Sequence, residues 1–381
     1  MAAHPKSLGC FWHQSDREIL ASAYSPGMAR SAASARSLER VLRICDSAGD
    51  SRALRLQLLD EIRAAVGFDA YAWLLTDPET SVGSAPLADV PCLPELPRLI
   101  RLKYLTGVNR WTTLHTAPVA LLQEATGGEP SRSLLWRDLL ASYGIGDVAS
   151  MVFKDRFGCW GFLDLWRSGP LARFSSAEAG YLTGIAQPVT RALRSSQAHA
   201  FVARASRDAR RLGPVVLLLS PDLAVHGQTP QTQEYLRVLV PPAEGRPPIP
   251  ASAYNVAAQL LANEADVDRN PARARVHLSD GLWMTLRAAR IGSTGPVQER
   301  DIAVTIEETS PPERVALFAR AFGLSARESE LLGHLVSGTD TWEVARRMFL
   351  SEHTVQDHLK SIFAKTATRN RRILLSRALG S

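Results

Sequence analysis

The stretch SEHTVQDHLKSIFAKT, residues 351–366, lies close to the end of a 381-residue chain and decides how the rest is read. Val355, Leu359, Ile362 and Phe363 recur at helical spacing and fall within roughly 80° of one another on a helical wheel. His353, Gln356, Asp357, Lys360 and Ala364 gather on the opposite side. Ser351 is placed to cap the helix, and Glu352 sits in the first turn, where the helix dipole favours a negative charge. Gln, Lys and Asp exchange hydrogen bonds with base edges, and a small residue allows close approach. A dry face backed by such groups therefore fits a helix lying in a DNA major groove. The plainer reading of one amphipathic helix is a solvated face, so the neighbourhood has to decide.

The neighbourhood favours DNA. Ser325-x-x-Glu328 before SELLGHLVS and Asp340-x-x-Glu343 before VARRM both have capping-box spacing. Gly338 is placed to end the first of these helices, and Thr368 to cap RNRRILLSRAL. Only Phe349 to Ser351 separate the second helix from the third, and so short a join sets two helices at a steep angle, the helix-turn-helix arrangement. From Ser325 onward, nine Lys or Arg stand against six Asp or Glu, which is half of the chain's +6 surplus. That balance suits a polyanionic partner. Arg346, Arg347, Thr354, Lys365 and Arg371 are candidate phosphate contacts, and His353, Gln356, Asp357 and Lys360 form the candidate reading face. Any one of these cations, taken singly, reads equally well as an ordinary surface charge. His358 points partly toward the packed side, where a structural hydrogen bond is expected.

Together these residues resemble the C-terminal DNA-binding domain of the LuxR family of bacterial transcription regulators. The likeness covers residues about 323 to 379. It is carried by L-S-x-R-E at 324–328, Gly338, V-A at 344–345, S-E-x-T-V at 351–355, H-L at 358–359, I-F-x-K at 362–365 and R-x-R at 369–371. The resemblance implies a four-helix domain whose third helix reads bases through Gln356, Asp357 and Lys360. It also implies a dimer contact on the fourth helix, about 369–379, and hence a homodimer on double-stranded DNA with paired half-sites. RNA polymerase is a further candidate partner.

Upstream, residues 1–35 are rich in Ala, Ser and Arg and read as a loosely ordered arm. Apolar residues from Leu38 to Val66 step at helical spacing up to Gly67, and FDAYAWLL (68–75) reads as a strand. DVASMVFKD (147–155) and CWGFLDLWR (159–167) form a hairpin about Arg156, Phe157 and Gly158, and 174–211 is a long Ser-capped helix bent at Pro188. VVLLLS (215–220) is a strand, TQEYLRVLV (232–240) a helix, PPAEGRPPIP (241–250) a loop and ASAYNVAAQLLANEAD (251–266) a helix. RARVHL (273–278), LWMTLRAARI (282–291) and DIAVTIEE (301–308) are three strands in a row, which implies an antiparallel sheet.

The expected architecture is multidomain α+β. An arm (1–35) precedes a sensor domain (36–200), a helical linker (201–212), a second sensor domain (213–310) and an all-α four-helix helix-turn-helix domain (311–381). The first sensor region is similar to a GAF domain and the second to a PAS domain. The GAF likeness implies a sheet and helices enclosing a ligand cavity. Tyr71, Trp73, Trp111, Trp136, Phe153, Trp160 and Trp166 are its candidate lining residues, for a planar or apolar small-molecule effector. Core packing is the plainer reading of each aromatic alone. The ligand domain of quorum-sensing LuxR proteins is an alternative, but it joins its DNA-binding end without so long an intervening segment.

Composition and absences narrow the class. Hydrophobic residues make up 45% and charged residues 22%, enough apolar surface to fold. Cys10, Cys45, Cys92 and Cys159 are scattered without CxxC, so reduced thiols and no zinc knuckle are expected. No apolar run reaches a bilayer-spanning length and the start lacks a signal-peptide core, so a cytoplasmic protein without membrane contact is expected. There is no GxxxxGK[ST], and no acidic cluster of a phosphoryl-accepting receiver. GIGDVA (144–149) follows a helix and precedes a strand, the reverse of a dinucleotide fingerprint, and Cys10-x-x-His13 lacks a second ligand pair. No cofactor and no enzymatic activity are expected. The reading is a sequence-specific transcription regulator under sensor control. The alternatives are an interaction protein that docks on another regulator with weak DNA contact, and an enzyme using the sensor cavity.

Overall fold

A computed structural model describes residues 26–47, 49–114, 117–202, 215–232, 250–278 and 282–380. All but Thr232 of the expected helix 232–240, almost all of the loop 241–250 and most of the 201–212 linker lie outside these residues. The first helix, α1 (Pro26–Asp46), begins inside the stretch expected as an arm: Pro at the first helical position is followed by an Ala-, Ser- and Arg-rich run that forms helix without an apolar period. α2 (Ser51–Val66) is capped by Asp50, whose carboxylate accepts from Ala53 N–H at 2.8 Å, and it stops at Gly67 with φ 69°.

The chain is a multidomain α+β protein built on two antiparallel five-stranded sheets. The first comprises β1 (Ala70–Thr76), β2 (Gly83–Asp89), β3 (Val119–Leu121), β4 (Ile145–Asp155) and β5 (Gly158–Ser168), in the order β2-β1-β5-β4-β3. β4 and β5 make the expected hairpin. Beside this sheet run α3 (Leu96–Leu105) and α4 (Ser176–His199). α4 starts at a full Ser175–Glu178 capping box and continues through Pro188. It ends at His199 and residues 200–202 form a turn, so within the described residues it is shorter than the expected span to 211.

The second sheet comprises β6 (Val215–Leu219), β7 (Val225–Gln228), β8 (Arg273–His277), β9 (Trp283–Arg290) and β10 (Ile302–Glu308), in the order β7-β6-β10-β9-β8. β7 is a short, exposed edge strand with no apolar alternation to reveal it. Between β7 and β8 lies α5 (Ala251–Glu264), in which 11 of 14 residues are buried. A helix buried on all sides must be walled in by other elements. Ala253, Val256, Ala257 and Leu261 of α5 share one core with Leu217, Leu286 and Val304 of the second sheet and with Leu74, Tyr104, Trp111 and Phe162 of the first unit. The two regions expected as separate sensor domains are thus joined through α5.

Two buried arginine pairs cross the same boundary. Arg275 on β8 donates through Nε and Nη2 to both carboxylate oxygens of Asp77, each at 2.7 Å, and Asp77 also accepts from Arg275 N–H at 2.9 Å. Both side chains are almost wholly dry. Burial works against the charged Asp77, but Arg275 outweighs it and holds the carboxyl below its ordinary range. Arg110, fully buried, likewise pairs with Asp268 at 2.7 Å.

The remaining chain is all helical: α6 (Pro311–Ala321), α7 (Ala326–Val336), α8 (Thr341–Met348), α9 (Glu352–Thr366) and α10 (Arg371–Leu379). α6 joins this module to the sheets. Arg273 and Arg287 grip Glu313 in its first turn at 2.8 and 2.6 Å. Phe318 packs edge-on against Phe201, which itself stacks on Trp283, and Arg320 donates to the Phe157 carbonyl in the β4–β5 turn at 2.8 Å. Among the described residues, no helix is long and apolar enough to cross a membrane.

Removing one partner of a dry ion pair strands the other, which costs about 3–5 kcal/mol. Asp77→Asn is therefore expected to lower stability by that order in urea unfolding. Arg132→Ala, which breaks an exposed pair with Glu129, should leave the midpoint unchanged.

Candidate nucleic-acid interface

The DNA-binding candidate is assembled from its caps inward. Ser325 and Glu328 form the full reciprocal capping box: Ser325 N–H donates to Glu328 Oε2 at 2.6 Å and Glu328 N–H to Ser325 Oγ at 3.2 Å. Asp340 accepts from Glu343 N–H at 2.8 Å, but the Glu343 carboxylate does not return the bond. It takes Arg346 at 2.7 and 2.9 Å and Arg347 at 2.8 Å, and these two guanidinium groups hold it down at about 2. Ser351 caps α9 through Thr354 N–H at 3.1 Å, as expected. The start of α10 differs from expectation. Asn370, not Thr368, is its cap, accepting from Ile373 N–H at 2.9 Å. The left-handed Ala367 has already turned the chain, so that Thr368 N–H closes onto the Phe363 carbonyl and its hydroxyl meets Thr366.

α9 is oriented by its apolar side. Val355, Leu359 and Ile362 are buried in a core with Leu331, Leu335, Val344, Met348 and Leu374, and Phe363 is half-buried against it. Each such burial contributes roughly 1.5–3 kcal/mol, an upper figure, and it outweighs any exposed ion pair on the opposite side. His353, Gln356, Asp357, Lys360 and Ala364 all face outward. Asp357 is bracketed on that surface, by Lys360 Nζ at 3.0 Å and by His353 Nε2 at 3.5 Å, and Lys360 lowers its pKa. His358 is half-buried.

The cations divide into two groups. Arg346 and Arg347 are exposed beside the α8–α9 turn, both paired with Glu343, and the Arg346 guanidinium also lies 5.8 Å from the centre of the Trp342 ring. Lys365 and Arg371 point inward to structural partners. Lys365 Nζ reaches both oxygens of Glu328, at 2.6 and 2.8 Å, and Ser361 Oγ adds a bond of 2.6 Å. Burial pushes Glu328 up, but these donors and the Ser325 cap outweigh it and hold the carboxyl at about 2. Arg371 donates to the Thr339 carbonyl at 2.7 Å, tying the start of α10 to the α7–α8 loop. The sequence signal for Glu328 was only its capping-box spacing, which carries no hint of a partner 37 residues away. Arg369 and Arg372 are exposed just past the end of α9 and were not singled out as phosphate contacts.

The seven aromatic candidates upstream are spread over three separate cores. Trp73 and Phe153 stack at 5.3 Å, wholly buried, with Trp160 in the same core and half-buried Tyr71 at its edge. Trp111 stacks on Phe162 at 4.3 Å in the core shared with α5. Trp166 lies in a third core, with Trp136 beside it donating to the Ile145 carbonyl at 2.8 Å. Near Trp111 the structure adds a buried ion pair, Lys103–Asp164 at 2.7 Å. Asp164 was hidden inside the apolar run CWGFLDLWR.

With this geometry in place, residues 323–378 match the family described as "GerE: Bacterial regulatory proteins, luxR family". The CsgBAC operon transcriptional regulatory protein of Escherichia coli (strain K12) is 46% identical over 48 residues, which is 13% of this chain and 22% of that protein. The chain thus spans about a fifth of the length of that curated relative. Among solved structures, bacteriophytochrome RpBphP3 from the photosynthetic bacterium R. palustris overlays at a TM-score of 0.31 and 14% identity, covering 72% of this chain and 62% of that one. The Vibrio cholerae VqmA dimer overlays at 0.16 and 18% identity, covering 45% and 84%. Overlays this loose transfer no fold.

A carboxyl whose pKa is depressed on folding adds stability above its unfolded value and loses it as pH falls through the folded one. For Glu328 that window runs from about 4.5 down to about 2. Lys365→Met should lower stability near neutral pH, on the order of 2 kcal/mol. The gap to wild type should close across that window in thermal unfolding followed by circular dichroism. Residues 323–378 are a LuxR-type helix-turn-helix domain at the C-terminal end of the chain.

Proposed function

We propose that the protein is a transcription regulator that binds double-stranded DNA sequence-specifically as a homodimer. The observation that carries this reading is the outward, mixed polar face of α9, held in place by a fully packed apolar back. Gln356 and Lys360 donate to base edges, and Asp357 accepts from a cytosine amine, with His353 at the helix start. Arg346, Arg347 and Thr354 meet phosphates at the α8–α9 turn. Lys365 and Arg371 act one step back, fastening the helices that carry these contacts. α10, where Leu375 and Leu379 are half-buried, is the dimer element, and RNA polymerase is a further partner.

The upstream body acts as the sensor. Its route to DNA is α6, gripped at Glu313 by the second sheet, at Phe318 through Phe201, and at Arg320 by the β4–β5 turn of the first sheet. A small-molecule effector alters DNA affinity only through a difference in its own affinity for two arrangements of α6.

A dimer that neutralises four phosphates should lose roughly 100-fold in affinity between about 50 and about 200 mM salt. Titration of a fluorescent duplex reads this directly, and salt-indifferent binding would sink the proposal. Lys360→Ala should reduce discrimination between an enriched site and a random duplex by about tenfold or more. Arg346→Ala should weaken both duplexes alike.

A further inference from the structure

Four consecutive helices of the C-terminal region end in the same hydrogen-bond motif. After α6, Gly323 N–H donates to the Arg320 carbonyl at 3.1 Å and Leu324 N–H to Ala319 at 2.9 Å. After α7, Gly338 donates to Leu335 and Thr339 to His334, both at 3.1 Å. After α8, Phe349 donates to Arg346 at 3.3 Å and Leu350 to Ala345 at 2.9 Å. After α9, Ala367 donates to Ala364 at 3.5 Å and Thr368 to Phe363 at 3.0 Å. The motif needs a left-handed residue at its turning point, with φ of 65°, 80°, 55° and 48° in turn. Glycine adopts that conformation without steric penalty, and the chain uses it twice.

Of the two turning residues that are not glycine, Ala367 is small and Phe349 is the one that calls for a reason. A bulky side chain in the left-handed region brings Cβ too close to the following carbonyl oxygen. Leu223 shares that conformation at φ 66° but is wholly buried, so packing offsets its strain. Phe349 is 94% exposed. The two closing hydrogen bonds hold its backbone in place, but among the described residues nothing covers its ring. Its neighbours fix the direction of the ring: Met348 is buried and Leu350 packs on the same core, so the residue between them projects outward.

The location identifies a partner. Phe349 stands two residues before the Ser351 cap of α9 and two residues after Arg347. With α9 in a major groove, this turn meets the bordering strand, where deoxyribose rings alternate with phosphates. Resting on the DNA-binding reading above, we propose that the Phe349 ring packs against the deoxyribose surface of that strand while Arg346 and Arg347 hold the adjoining phosphates. Such a contact adds affinity for any sequence and releases no counterions.

The test uses the full chain, a random-sequence duplex and the duplex that wild type enriches from that random pool. Phe349→Gly should raise the melting temperature by about 2 °C, because the strain is relieved. It should weaken both duplexes by roughly tenfold, with the slope of affinity against salt unchanged. Phe349→Tyr should keep wild-type affinity, and Arg346→Ala, which removes one phosphate contact from each protomer of the dimer, should reduce the slope by about 2. Wild-type affinity in Phe349→Gly overturns the inference and assigns the ring to a protein partner. A loss that comes with a lower melting temperature also overturns it, as does a loss confined to the enriched duplex. Wild type that retains neither duplex at low salt overturns the DNA-binding reading instead.

Discussion

Glu328 stands at the start of α7 with 3% of its surface exposed, yet it stays ionised down to about 2. Its carboxylate accepts from the Ser325 backbone, Ser361 and Lys365, so it caps one helix and fastens another. An ion pair with one buried member contributes little net stability against an apolar substitute, but it sets position: sliding α9 along α7 would part Lys365 from the dry Glu328 carboxylate. The apolar side of α9 decides which way the helix faces, and Glu328 decides how far along its neighbour it sits. The outward residues His353, Gln356, Asp357 and Lys360 are thereby held on a rigid support, which any site that must meet a partner in a defined geometry requires.

The upstream body follows the same logic on a larger scale. α5 is wedged where both sheet units meet it, and its five alanines allow close approach. Two dry arginine pairs, Arg275–Asp77 and Arg110–Asp268, then fix the units against each other. A body joined in this way is one packed unit, and α6 is where it meets the C-terminal domain. Its first turn carries Glu313 between two arginines, an arrangement the helix dipole also favours. The link is polar at both ends and aromatic in the middle, so it has discrete contacts to break and remake.

Much of the C-terminal domain was legible in the sequence because its signals are local. The cap at Ser351, the capping box at Ser325, the stop at Gly338 and the apolar period of α9 all act over a few residues. Both sheets were partly visible for the same reason: β4, β5, β8, β9 and β10 alternate or run apolar, whereas β7 and β2 do neither. The site was less legible than the helices. Lys365 and Arg371 read as surface cations but turn inward, and Arg346 and Arg347, equal to them in sequence, turn outward.

The residues alone therefore determined the four helices from α7 to α10, most of their ends, and which side of α9 is dry. Tertiary structure alone decided the pairings of Asp77 with Arg275, Arg110 with Asp268 and Glu328 with Lys365, and the merging of two sheet units around α5. Periodicity and capping depend on neighbours along the chain and leave a trace in spacing. A charge that will be buried looks the same in sequence as one that will be solvated, because its fate depends on a partner that only the folded chain brings near.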